Sequence, residues 1–239
     1  DSQPVNGVIA RSFTTLSEVV TAVKNLLINA DEGDAGADGV ALTADDLIAM
    51  GVSGLVATTG EPAKQTAAVA IFNDLIDTKA DADVDTVAKT QALYDAVQAV
   101  LRTATGDTPM VTKVQLGLLG FDVDNADSNV LTDVTDNNLS AIQQVLINLN
   151  LDTDFTNLTS LTQLQTLTNN AISALNALEA AAQGDDASTI TATTAFSDMG
   201  VTTVTNGGGT AGTANNLAAI KTVLASTAIT GSDADTYED

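Results

Sequence analysis

Leu42-Thr43-Ala44-Asp45-Asp46-Leu47-Ile48-Ala49-Met50-Gly51-Val52 decides the reading of this chain, because the phrase returns. Val111-Thr112 leads in the same way to Leu119-Gly120-Phe121, and Ile190-Thr191 leads to Met199-Gly200-Val201. Each copy is a hydrophobic residue, a Thr, a short apolar-periodic stretch and a Gly. The copies lie about 70 and about 80 residues apart, which is the mark of a tandem array. An array repeats one module and spends little sequence on a unique cleft, so the pattern favours a structural or adhesive chain over an enzyme.

The local chemistry predicts a short helix in each copy. Thr43 with Asp46, and Thr112 with Gln115, match a capping box, in which Thr accepts from backbone N–H groups and the residue three places on reaches back. The third copy has only Thr194 in that place. Gly51, Gly120 and Gly200 stand where a left-handed residue ends a helix. A second helix is expected over 66–77, 138–150 and 215–226. Its stripes are Val69, Phe72, Leu75 and Ile76, then Leu139, Ile142, Val145, Leu146 and Leu149, then Leu217, Ile220 and Leu224. Asn138 reads as an N-cap. A third helix carries Leu93, Val97, Val100 and Leu101 in the first copy, opened by Asp83-Val84-Asp85-Thr86. In the second copy it carries Leu158, Leu161, Leu164, Leu167, Ile172, Leu175 and Leu178. Three helices with one apolar face each close a small bundle.

The expected architecture is therefore all-α: a tandem array of small three-helix modules joined by Asp/Gly-rich loops. Residues 1–40 form an orphan helix plus an acidic linker, 41–109 the first module, 110–188 the second and 189–239 an incomplete third. Asp233-Ala234-Asp235-Thr236 is followed by Tyr237-Glu238-Asp239, where the sequence ends, so the third helix of the last module is expected to be missing. The N-terminus has the opposite fault, with Leu16, Val19, Val20, Val23, Leu26 and Leu27 forming a third helix with no first and second helix before it. Three arrangements fit: a window on a longer array, a head-to-tail polymer, or a ring closed within one chain. The first residue is Asp1, which suggests a processed product or a piece of a longer protein.

Composition narrows the function classes. Eight Lys and Arg stand against 31 Asp and Glu, a formal net charge of -23, which repels nucleic acid and anionic membrane and favours cations. With no Cys there is neither a disulfide nor a zinc–thiolate site, and with no His the usual nucleophile triads lack their base. Aromatic residues make up 3%, a poor platform for stacking bases or sugars. No apolar run is long enough to span a bilayer. Gly207-Gly208-Gly209-Thr210-Ala211-Gly212 matches G-x-G-x-x-G, but no strand–helix–strand unit surrounds it, so it reads as a loop. No enzyme and no organic cofactor is expected.

Calcium is the one cofactor the residues suggest. Asp81, Asp83 and Asp85 alternate before the third helix, and Asp122, Asp124 and Asp127 crowd the loop after Gly120. Hard oxygen ligands on short loops suit Ca²⁺, although no EF-hand loop is present and a solvated capping loop is the plainer reading.

The phrases L-T-x-x-x-L-x-x-M-G-V-x-G at 42–54 and N-L-x-A-I-x-x-V-L at 138–146, with Asp85-Thr86 leading to Leu93 and Val97, resemble the helical tandem repeats of very large secreted surface proteins of Gram-negative bacteria, adhesin-like and surface-layer-like chains. The resemblance implies export to the cell surface, a structural or adhesive role, often calcium, and no catalytic residues. The expected function is an extracellular fibre, surface-coat or adhesin-spacer subunit. It would assemble with itself, or with neighbouring repeats of a longer chain. The assembly surface would join Leu16, Val20, Val23 and Leu27 to Phe196, Met199, Leu217, Ile220 and Leu224. The alternative is a helical binding module that presents one face to a host or matrix protein.

Overall fold

The computed structural model describes residues 16–30, 40–56, 62–123, 133–151, 154–183, 194–199, 201, 204 and 216–224. Among them the secondary structure is helical throughout, which bears out the all-α reading. In chain order the helices are α1 (Leu16–Asn29), α2 (Ala44–Met50), α3 (Ala63–Ile76), α4 (Asp81–Val84) and α5 (Val87–Ala104). They continue as α6 (Lys113–Leu118), α7 (Asp136–Asn148), α8 (Leu161–Gln183), α9 (Thr194–Ser197) and α10 (Asn216–Leu224).

The short helices start and stop as their residues dictate. Thr43 and Thr112 cap α2 and α6, and both capping boxes close, with Asp46 and Gln115 accepting from the Thr backbone N–H at 2.9 Å. Gly51 ends α2 at φ 96°, a conformation that an L side chain resists. Asn138 corrects the expectation of an N-cap. Thr135 is the cap of α7, and Asn138 sits three residues inside, its Oδ1 accepting from Thr135 N and its Nδ2 donating to Asp133 O. The third helix of the first copy opens in two steps, α4 and then Thr86 as the cap of α5. Leu158, expected at the start of α8, lies buried in the turn before it. The third copy's Ile190, Thr191 and Gly200 lie outside the described residues, as do the glycines of 207–212.

Packing brings sequence-adjacent helices together. α1 lies against α2, and also touches α3 and α4; α5 packs on α3, α6 and α7; α8 packs on α7, α9, α10 and α3. The helix expected to be an orphan therefore has companions, and Ala22, Leu26 and Ala30 are its buried side. The third copy likewise has a long helix, because α8 covers α9 and α10 from the N-terminal side. A main core runs through α1 to α8, with Phe72 and Tyr94 meeting edge to face at a 5.7 Å centroid separation. A smaller second cluster holds the C-terminal part: Ala174, Leu175, Leu178 and Ala181 of α8 against Phe196, Met199 and Leu217.

Candidate assembly interface

The surface begins with the two-sided character of α1. Its buried stripe faces α2, yet the helix carries apolar residues on a second side as well. Leu16 is 79% exposed and Val20 57%; Val23, Leu27 and Ile28 are also exposed. Val20, Val23, Leu27 and Ile28, together with Val19 and Lys24, line an open groove of about 540 Å³, and Asp81 at the start of α4 forms its acidic edge. The four expected α1 residues are thus all exposed on one helix.

The C-terminal half of the expected surface divides. Phe196, Met199 and Leu217 are buried inside the chain against α8, so they are not open to another molecule. Ile220 and Leu224 are half-buried, and Val223, which the sequence reading passed over, is 57% exposed. Met199 and Leu217 looked open only because the third module was thought to lack a long helix.

The acidic candidates have local partners. Asp83 Oδ2 accepts from Ala80 N at 3.2 Å, closing the first turn of α4, and Asp85 pairs with Lys89 at 2.8 Å. Asp122 lends its carbonyl to Val134 N at 2.8 Å, which draws the two ends of the 122–134 loop together. Asp124 and Asp127 lie outside the described residues. Among the described residues no three acids converge on one point.

Electrostatic strain is modest and local. Burial holds Lys79 below the usual lysine range, with Asp83 acting against it. Burial also lowers Lys64, although Asp107 lies 4.0 Å away. Burial, and after it the charge of Asp74, raises Asp77 above the usual carboxylate range. A second cavity of about 350 Å³ opens where α6, α7 and α8 meet, but its cation is already engaged: Lys113 Nζ is 2.8 Å from Asp136 Oδ1.

A set of carboxamide clamps was not legible beforehand. Asn73 takes Leu42 at both backbone atoms, accepting from its N–H at 2.8 Å and donating to its carbonyl at 3.0 Å. Gln143 Nε2 donates to Val111 O at 2.8 Å. Gln65 grips Val56 at N–H and carbonyl, each at 2.7 Å. The first two fix the entry to α2 and to α6, at the hydrophobic residue that opens each repeated phrase. No helix among the described residues is long and apolar enough to cross a membrane. Comparison with family models, with curated proteins and with solved structures finds no match to this chain.

Proposed function

We propose that this chain is a tandem array of three-helix units serving as an extracellular structural protein, a fibre, surface-coat or spacer subunit that associates end to end. The contacts favour a unit phased one helix earlier than the repeated phrase suggests: α1–α2–α3, then α5–α6–α7, then α8–α9–α10. In each, a long helix lies against the short helix that follows it. Asn73 and Gln143 then hold equivalent places, since each binds the first residue of its unit's phrase.

The observation that carries the proposal is a recurring joint. The last helix of one unit packs on the first helix of the next, α3 on α5 and again α7 on α8. A chain built by one repeated joint extends by repetition, and the exposed residues of α1 and of α10 match the two sides of that joint. The lack of His and Cys and the clustering of acids in capping loops support a structural role over a catalytic one. Calcium at the 122–133 loop belongs to the same proposal, supported by its density of Asp.

Light scattering and negative-stain microscopy test it over a concentration series, in millimolar Ca²⁺ and in chelator. Mass rising in whole-chain steps with concentration, and linear particles, are expected. A strict monomer at every concentration in both conditions refutes end-to-end association.

A further inference from the structure

We infer that α10 of a second copy covers α1, in the register in which α3 covers α5 and α7 covers α8. The inference rests on the array reading above and names the partner and the joint. Aligning the long helices by their buried alanines (Ala22 with Ala96 and Ala174, Ala30 with Ala104 and Ala182) puts Val20 in the place of Tyr94 and Ile172. Leu16 then matches Thr90 and Thr168, and Val23 matches Val97 and Leu175. In α5 and α8 all of these positions are buried, whereas in α1 all are exposed. What lies on Tyr94 is known: Phe72 of α3.

The other half of the joint is open at the opposite end. Aligned on the Asn73 and Gln143 clamps, and on the Asn-Leu pairs 138–139 and 216–217, Phe72 corresponds to Ile142 and Ile220. Leu75 corresponds to Val145 and Val223, and Ile76 to Leu146 and Leu224. The α3 and α7 members are buried; Val223 is exposed, and Ile220 and Leu224 are half-covered. Among the described residues, the α1 side of a contact made twice internally is thus exposed, and the α10 side is partly exposed. Copies joined this way meet through two different surfaces, so the contact propagates head to tail and does not close as a symmetric dimer. The faces are apolar while each copy carries a net charge of -23, so added salt screens the repulsion and strengthens the joint. A cationic partner for the same groove would be weakened by salt.

The chain has no Cys, so introduced thiols report without background. Chains carrying Val20→Cys are mixed with chains carrying Ile220→Cys and treated with a short bismaleimide; Val223→Cys serves as the second variant. Cross-linked dimers are expected at least about tenfold faster than from Val20→Cys with Val114→Cys, because thiols in a docked pair see a millimolar effective concentration. The double variant Val20→Cys/Ile220→Cys gives a ladder, and adding Val23→Asp to it abolishes the ladder. Ile142→Cys/Ile172→Cys, bridged within one chain, tests the array alignment by itself. If that bridge forms and the intermolecular one does not exceed its control, the docking is overturned while the array stands, and the groove belongs to another protein. If the internal bridge fails as well, the alignment is wrong and the inference falls with it. A double variant that cross-links only within single chains indicates a ring and overturns the filament.

Discussion

Two alanine substitutions at matched positions, Leu75→Ala and Val223→Ala, should differ several-fold in cost. Leu75 is fully buried between α3 and α5. Its truncation removes three carbons from the core, about 2.4 kcal/mol at about 0.8 kcal/mol per buried carbon. The unfilled space adds to this, so a total of about 3 kcal/mol is expected, inside the range for buried Leu→Ala. Val223 holds the matching place on α10 but is 57% exposed, so only part of the two carbons lost was ever shielded from water. The same arithmetic then yields about 0.7 kcal/mol. Urea unfolding followed by far-ultraviolet circular dichroism, in dilute solution, measures both. At high concentration the Val223 variant should lose more, because it also weakens the joint to the next copy. A dilute-solution cost above about 2 kcal/mol for Val223→Ala would refute the reasoning, since a solvent-facing Val has no such packing to lose.

Further expectations follow from single contacts. Asn73→Ala strands the N–H and carbonyl of Leu42 and should cost about 1–3 kcal/mol, with faster hydrogen exchange at the Leu42 amide. Thr112→Ala removes the capping box of α6 and should cost about 1 kcal/mol in urea unfolding. Asp77 is held above the usual carboxylate range, so the folded chain binds its proton more tightly than the unfolded one. That contribution is full below the ordinary Asp value of about 3.9 and is lost as pH rises through the raised one. Asp77→Asn, which keeps a neutral group at the C-terminal end of α3, should therefore stabilise by up to about 1 kcal/mol at pH 7, and the gain should vanish near pH 3 in thermal melts. Chelation should lower the mass seen by light scattering if calcium supports the joint; an unchanged mass removes calcium from the proposal.

The elements were legible because their signals are local. A Thr with a reaching partner three residues on, and a Gly in the left-handed region, mark α2 and α6 without knowledge of anything distant. Periodicity likewise marked Leu16, Val19, Val20, Val23, Leu26 and Leu27 as the apolar stripe of a helix, which α1 is. The phase of the packing was not legible, since order along the chain does not say whether a long helix pairs with the short helix before it or after it. That is why Phe196, Met199 and Leu217 were taken as open when α8 in fact covers them. Asn73, Gln65 and Gln143 were missed for a related reason. A carboxamide on a helix looks like solvent-facing polarity until the backbone it grips, distant in sequence, is in place.

The division of the core into a large cluster and a small one bears on how a strand of such chains takes load. Tension arriving through α10 passes into α8 only by way of the small cluster around Phe196, Met199 and Leu217, with the larger core behind it. That cluster yields first. The stretch from the end of α8 through α10, about 40 residues, then pays out to at most about 140 Å of extended chain. If such chains do join end to end, a strand of them would lengthen before it breaks, each subunit carrying its own slack.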